Sequence, residues 1–212
     1  MSSLDLQEQE QVDALKAWWK DNGKYVVGVL ALGVLVFAGM QFWKSHQATQ
    51  AAEAAKLYAE VARQVATNDA KRIGDAADAL ASRYGSSAYA PRAQLLAAQA
   101  SLQAKDITHA KIQLLWVIEH AAESSLQDTA RLKLASILLD EKKYDEALKQ
   151  LDTAHPESFT GLYSDLKGDV LSAMGKTAEA RLAYQQALDK TDVKSTYRNL
   201  IQLKLDGLGT SK

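Results

Sequence analysis

Nineteen consecutive residues without a charged side chain, from Tyr25 to Trp43, constrain this chain more than any other feature of its sequence. As an α-helix rising 1.5 Å per residue they span about 28 Å, close to the roughly 30 Å hydrocarbon core of a bilayer. Tyr25 lies at one end of the run, and Phe42 and Trp43 lie at the other, where aromatic rings meet lipid headgroups. The run predicts a transmembrane helix over residues 25–43 that is anchored in a lipid bilayer.

The flanks of this run indicate that the helix is retained and suggest its orientation. Trp43 is followed by Lys-Ser-His-Gln, which is not a signal-peptidase site, so we expect an uncleaved anchor. Lys16, Lys20 and Lys24 flank the run on its N-terminal side, whereas only Lys44 lies close on the other side. Because positive charge favours the cytoplasmic side, we predict a cytosolic N-terminal flank over residues 1–24.

Alanine and leucine dominate the rest of the chain. Hydrophobic residues make up 47% of the sequence but aromatic residues only 7%, and alanine and leucine are among the best helix formers. Only two prolines interrupt 212 residues, so long helices can form without an obligatory break. The composition predicts an all-α protein.

The charge is nearly balanced, with 25 basic and 26 acidic residues. Residues 1–24 carry a net charge of −2 and residues 44–212 a net charge of +1, so neither part offers the basic surface that binds nucleic acid. The chain has no cysteine, which excludes disulfides and thiolate metal sites. We expect no nucleic-acid partner.

An internal repeat with a period of 33 residues occupies the C-terminal half. Small residues recur at fixed positions of two paired helices, as is typical of tetratricopeptide repeats. The expected turns are Lys142–Tyr144 and Met174–Thr177. The alignment pairs Ala135 with Gly168, Leu138 with Leu171, Ala147 with Ala180, Leu151 with Tyr184, and Ala154 with Ala187.

Looser copies lie upstream of this repeat. A third copy, containing Ala98 and Ala110, is displaced by 37 residues, and residues 51–84 form a helix pair that matches poorly and is expected to cap the array. Residues 195–205 are expected to form a C-terminal capping helix. The sequence predicts an α-solenoid of tetratricopeptide-like helix pairs over residues 44–206, followed by a flexible tail over residues 207–212.

Stacked helix pairs form a concave surface that suits an extended segment or an amphipathic helix of another protein. The first helix of each pair supplies most of this lining. Alternatively, several of the expected lining residues only pack between helices and do not line the groove. The candidate groove residues are Leu95, Gln99, Leu132, Ser136, Leu139, Leu162, Asp165 and Asp169.

Residue patterns that suggest catalysis or metal binding lack the context that such chemistry needs. His120 and Glu123 have a ligand-like spacing, but a zinc site requires further ligands. Ser164 and Lys167 have the spacing of a serine nucleophile and a lysine base, without the other elements of that site. Gly175–Thr177 resembles part of a phosphate loop, yet no strand precedes it. We predict a protein that is not an enzyme and has no catalytic, metal or cofactor site.

Several segments together resemble one known family. They are Asn22–Lys24 before the anchor, Trp43–Gln47 after it, and Ser164–Gly168 with Ala183–Tyr184 in the repeat. The chain is similar, over essentially its whole length, to the YfgM family, the ancillary SecYEG translocon subunits of Gram-negative inner membranes.

The resemblance implies an N-in, C-out topology in the bacterial inner membrane, with the repeats in the periplasm. It further implies association with the SecYEG translocon and with a membrane-anchored periplasmic chaperone of the prolyl-isomerase type. The protein would help to pass emerging polypeptides onward, and no catalytic residues are carried over from the family.

Two other functions remain open from the residues alone. In the first, the cytosolic flank binds a stress-response signalling protein and the chain is its membrane-anchored regulator; deletion of residues 1–20 would abolish that activity but not translocon association. In the second, the repeats lie in the cytosol as a structural adaptor. Protease access to the repeats in sealed spheroplasts separates this arrangement from a periplasmic domain.

Overall fold

The structure is a computed structural model that describes residues 3–209, with side chains described from residue 10 onward. Within this range the chain forms nine α-helices and a short 3-10 turn at Glu157–Phe159. The prediction of an all-α protein is confirmed. The helices are α1 (Ser3–Val65), α2 (Ala70–Tyr84), α3 (Tyr89–Gln103), α4 (Ile107–His120), α5 (Ser124–Asp140), α6 (Tyr144–Leu151), α7 (Thr160–Ala173), α8 (Thr177–Lys190) and α9 (Tyr197–Gly207).

The chain divides into two compact units, one ending at Ala51 and one beginning at Ala52, and α1 contributes residues to both. In the first unit, residues 25–43 are exposed apart from the half-buried Val26. Among the described helices, α1 alone is long and apolar enough to cross a membrane by length and composition. The predicted boundary at residue 44 lies inside α1 and stays a prediction.

Four similar turns connect the paired helices of the second unit. Each contains one residue with positive φ, and these residues are 37, 37 and 33 positions apart: Asn68, Lys105, Lys142 and Gly175. In the last three turns, the next backbone N–H donates to a carbonyl five residues earlier, at 2.8–2.9 Å, which closes the preceding helix. The predicted periods of 33 and 37 therefore correspond to a repeated turn.

The first helix pair follows the same geometry, although its sequence predicts only a poorly matching cap. Asp69 accepts a hydrogen bond from the backbone N–H of Arg72 at the start of α2, as Asp106 does from His109 at the start of α4. Aspartate is a favoured residue at this N-terminal position. The array thus contains four turns that share a residue with positive φ at regular spacing, and the first pair belongs to it.

Three hydrophobic clusters follow one another along the chain. Their buried residues fall within residues 54–97, 98–170 and 171–205. Trp116 packs against both the first and the second cluster, and Leu148 against both the second and the third. Neighbouring helix pairs therefore share one core, as expected for a solenoid in which each repeat contacts its neighbours.

Two buried positions recur in each helix pair, within one hydrophobic cluster or at neighbouring ones, with side chains of compensating size. The first helix contributes Val61, Ala98, Ala135 or Gly168, and the second contributes Ala77, Leu114, Leu151 or Tyr184. Both series follow the spacing of the turns. In the last pair, the contact is so close that a Cβ on Gly168 would lie 2.5 Å from two ring carbons of Tyr184. The size of the side chain on the first helix thus limits the size of the side chain that can pack against it from the second helix.

The predicted equivalence of Ala154 with Ala187 is wrong. Ala187 is buried within α8, but α6 ends at Leu151 and leaves Ala154 exposed in the following loop. Pro156 lies just beyond, and the residue before a proline disfavours helical backbone. The second helix of this pair is therefore shorter than its counterpart, eight residues against fourteen.

The array ends with α9, two residues later at each end than the predicted segment 195–205. Ile201 and Leu205 are buried against the third cluster, so α9 covers the last helix pair as expected of a capping helix. Of the predicted tail 207–212, Gly207 ends α9, and residues 210–212 lie outside the described residues, as do residues 1 and 2 of the N-terminal flank.

Candidate functional site

All of the candidate groove residues lie on the first helices of successive pairs, α3, α5 and α7. Gln99 on α3 and Ser136 on α5 are both exposed, and Leu162 on α7 is 41% exposed. These three side chains are available for contact with another protein. Leu95, Leu132 and Leu139 are instead half-buried and pack against the second hydrophobic cluster.

A cleft of about 340 Å³ with a mixed apolar and polar lining adjoins Gln99 at the junction of α1, α2 and α3. Val65, which is 37% exposed, and Leu96 supply apolar surface, and Gln99 and Gln103 supply amides. Gln99 is thus a candidate groove residue that also lines a cleft.

Asp165 does not line an open surface, contrary to the sequence prediction, and Asp169 is half-buried. Asp165 is only 2% exposed. Its Oδ2 accepts hydrogen bonds from the hydroxyl of Tyr197 and from Nζ of Lys204, the latter at 2.8 Å. Nζ of Lys204 also lies 2.7 Å from Oδ2 of Asp169, whose Oδ1 accepts from the hydroxyl of Tyr184 at 2.8 Å. Both carboxylates are therefore used to hold α9.

The ionisation of this charge network is set by opposing effects. Burial lowers the pKa of the Lys204 ammonium, but its hydrogen bonds to Asp165 and Asp169 and their negative charges outweigh burial, so the pKa lies above its ordinary value. Burial and hydrogen bonding to the carboxylates raise the pKa of the hydroxyls of Tyr184 and Tyr197. At neutral pH the lysine is charged and both tyrosines are neutral donors.

The residues considered for catalysis or metal binding have structural contacts. Ser164 is buried, and Gly175 occupies the turn between α7 and α8 with φ of 75°. His120 stacks on Trp116, and its Nδ1 lies 2.9 Å from the Trp116 carbonyl oxygen. Among the described residues, no group of three histidines, aspartates or glutamates is placed to hold a metal ion.

Comparisons with known proteins match nearly the whole chain. A family profile described as a tetratricopeptide repeat-like domain matches residues 16–210. A Neisseria gonorrhoeae protein named "Ancillary SecYEG translocon subunit" is 36% identical over 205 residues, which cover 96% of this chain and 98% of that protein.

The chain belongs to the family of ancillary SecYEG translocon subunits.

Two further relatives in this family carry the same name. The Escherichia coli protein is 29% identical over 201 residues, covering 95% of this chain and 96% of the relative. The Haemophilus influenzae protein is 27% identical over 185 residues, covering 87% and 90%. No solved structure matches the chain. The family resemblance inferred from the sequence is confirmed.

The residues predicted to anchor this family member in the membrane have exposed side chains on α1. Tyr25, Phe42 and Trp43 are 65%, 76% and 65% exposed. Nζ of Lys24 lies 5.0 Å from the ring centroid of Tyr25, a favourable cation–π distance. An exposed, largely apolar surface of this length is typical of a segment surrounded by lipid.

Sequence reasoning missed two polar features of this family member. The first is the network around Lys204, which joins residues 35 and 39 positions apart and has no short-range pattern. The second is a cleft beside Gly74. Extending the repeat alignment upstream by 37 residues would have indicated it, because Gly74 then aligns with Lys111.

Proposed function

We propose that this chain is a non-catalytic accessory subunit of the SecYEG translocon. It is anchored in the inner membrane by residues 25–43, with a cytosolic N-terminus. Its helical repeats lie in the periplasm, where they scaffold a membrane-anchored chaperone of the prolyl-isomerase type and help to pass newly translocated proteins to it.

The observation that carries this proposal is the similarity to relatives named for the translocon over 96% of the chain. The similarity spans both the apolar helix and the repeats, so it is not a match to a generic repeat domain alone. The exposed side chains of Gln99, Ser136 and Leu162, and the cleft next to Gln99, support a surface for protein binding.

Purification of the tagged full-length protein from its native membrane in a mild detergent tests the partners. We expect mass spectrometry to identify SecYEG together with a periplasmic chaperone. A variant with an unrelated transmembrane helix in place of residues 25–43 should retain the chaperone through its repeats. Loss of both partners from the native protein, in membranes where the translocon stays assembled, would contradict the proposal.

Photo-crosslinking distinguishes the groove from other surfaces of the repeats. A photoreactive amino acid at Gln99, Ser136 or Leu162 should capture the chaperone or an emerging chain. The matched control is Gln185, an exposed glutamine on the second helix of the last pair. Equal capture from Gln185 would show that the groove is not the binding surface.

The topology can be measured directly because the chain has no cysteine. In intact spheroplasts, an impermeant maleimide should label Ser136→Cys, whereas Gln11→Cys should react only after lysis. The reverse pattern would place the repeats in the cytosol. Association with the translocon after deletion of residues 1–20 further separates the proposed role from regulation through the cytosolic flank.

A further inference from the structure

A second cleft, of about 440 Å³, opens between α2, α3 and the start of α4. It is distinct from the candidate groove, and none of the groove residues lines it. Its rim carries the carboxylates of Asp75 and Asp78 on α2 and of Asp106 before α4. Lys71 is the one lysine in its lining, and His109 is paired with Asp106 through Nδ1 at 2.7 Å.

The floor of this cleft is polar and almost fully buried. Ser101 and Gln113 are 3% and 5% exposed, and the Ser101 hydroxyl donates to Oε1 of Gln113 at 3.0 Å. The Gln113 amide nitrogen donates to no other group among the described residues, and it lies 3.3 Å from where a Cβ on Gly74 would be. Although the residue as a whole is only 5% exposed, this N–H faces the open cleft, where a bound group can accept a hydrogen bond from it.

The repeat explains why the cleft is open. The position of Gly74 is occupied by Lys111 in the next helix pair and by Leu148 in the pair after it, 37 residues apart in each case. Lys111 donates to both carboxylate oxygens of Glu141, at 3.1 and 2.8 Å, and Leu148 packs between two hydrophobic clusters. Glycine inside a helix has a conformational cost, and at residue 74 it leaves unfilled a space that the later pairs fill.

Lys111 also shows which chemistry suits that space. In its pair, a lysine chain lies at this position with its ammonium against a carboxylate. The unfilled cleft carries three carboxylates, and the pKa of Asp106 lies below its usual value because that carboxylate accepts a hydrogen bond from the backbone N–H of His109. Since no metal-binding group of three is present among the described residues, an organic cation fits the charge better than a metal ion.

We propose that this cleft binds a lysine or arginine side chain presented by a basic segment of a partner protein. The cation lies between Asp75 and Asp78, and its aliphatic chain enters the space beside Gly74 that the Lys111 side chain occupies in the next pair. A backbone carbonyl of the same segment accepts from the Gln113 amide nitrogen. The proposal concerns a surface separate from the groove and does not depend on which partner the groove binds.

Nuclear magnetic resonance of the isotope-labelled full-length chain in lipid nanodiscs tests this inference. The probe is the capped peptide Gly-Arg-Gly-Arg-Gly, and the comparison is capped Gly-Glu-Gly-Glu-Gly. We expect the arginine peptide to shift the Gly74 backbone amide and the Gln113 side-chain amide saturably, and the glutamate peptide to leave them unchanged. Absence of a saturable shift, or equal shifts with both peptides, would overturn the proposal.

Two variants test the site itself. Gly74→Lys should fill the cleft from within, as Lys111 does in its own pair, and weaken peptide binding by at least about tenfold. Asp75→Asn combined with Asp78→Asn should weaken it by a similar factor while leaving the Asp78–Gln94 hydrogen bond possible. The second variant does not depend on the fold accepting a lysine at residue 74.

The matched control is Asp145→Asn combined with Glu146→Gln, which removes the same charge from exposed residues of α6. It should bind the arginine peptide like the native chain. Equal weakening in this control would show that the peptide responds only to net charge. Binding that persists in both cleft variants would show that the peptide lies elsewhere, and either result would refute the site.

Discussion

The contact of Gly168 with Tyr184 allows the size compensation within the helix pairs to be tested. Helix propensity alone predicts that Gly168→Ala stabilises α7 by about 1 kcal/mol. The tertiary contact predicts the opposite, because the new Cβ would lie 2.5 Å from Cδ1 and Cε1 of the tyrosine ring. The sign of the stability change therefore decides which effect dominates.

The size of the stability loss follows from how far the Tyr184 ring must move and which interactions it would lose. Packed carbon atoms are about 3.5–4.0 Å apart, so the ring must move by about 1 Å. Tyr184 is 3% exposed, and its hydroxyl donates to Asp169. Overpacking costs about 1–3 kcal/mol, and weakening a hydrogen bond to a charged group adds about 1.5–3 kcal/mol. After the gain in helix propensity, we expect Gly168→Ala to lower the free energy of unfolding by about 3 kcal/mol.

The preceding helix pair supplies the compensating change. Ala135 and Leu151 occupy the positions of Gly168 and Tyr184, so Gly168→Ala combined with Tyr184→Leu copies a pairing that the chain already contains. Tyr184→Leu alone should cost about 2 kcal/mol, since it leaves space beside the glycine. In the double variant the alanine fills part of that space, and the loss should be about 2 kcal/mol smaller than the sum of the single losses.

Urea unfolding of the four full-length proteins in the same detergent, followed by circular dichroism, measures this cycle. Gly207→Ala in α9 is the matched control, because a Cβ there would meet nothing within 4 Å. It should be neutral or slightly stabilising. If Gly168→Ala were as stable as the native chain, or if the double variant lost the full sum, the compensation argument would be refuted.

Three further predictions concern α9 and the anchor. Lys204→Met leaves the buried carboxylate of Asp165 without its cation and should lower the free energy of unfolding by about 3 kcal/mol. Backbone hydrogen exchange should increase first in α9, and unchanged protection of α9 would contradict this prediction. The pKa values of Lys204 and Tyr197 are raised in the folded state, so their contribution to the free energy of unfolding is complete below about pH 10 and is lost as the pH rises through the folded-state pKa values. In an alkaline titration of that free energy, Tyr197→Phe should reduce the fall. A free energy of unfolding that increases above about pH 10 would contradict this prediction. Leu35→Arg should cost about 3 kcal/mol of membrane insertion and reduce recovery in carbonate-washed membranes, whereas Val193→Arg should not; equal recovery of the two variants would argue against the anchor.

The helices themselves could be predicted from local patterns. The positions of α3–α5 and α7–α9 follow from apolar periodicity and from turn residues that recur after 33 or 37 positions. These signals act over a few residues, so they are visible without a three-dimensional structure. The early end of α6 also has a local cause at Pro156, yet the repeat alignment concealed it by matching Ala154 with Ala187.

The groove residues were predicted less well because their surroundings come from distant parts of the chain. Gln99 and Ser136 are exposed as expected. Asp165 has the pattern of an exposed acidic residue, but Lys204, 39 residues later, turns it into a buried partner. Helical periodicity shows which face a residue occupies and cannot show what covers that face.

The sequence by itself determined the apolar run of residues 25–43, the all-helical composition, the repeat period and the family, because each is carried by residue type and spacing. Only the tertiary structure decided that α9 covers the aspartates of α7, that Gly168 makes room for Tyr184, and that Gly74 leaves a cleft open. These three features depend on whether one side chain fills the space next to another. That outcome is set by close packing between segments far apart in the chain.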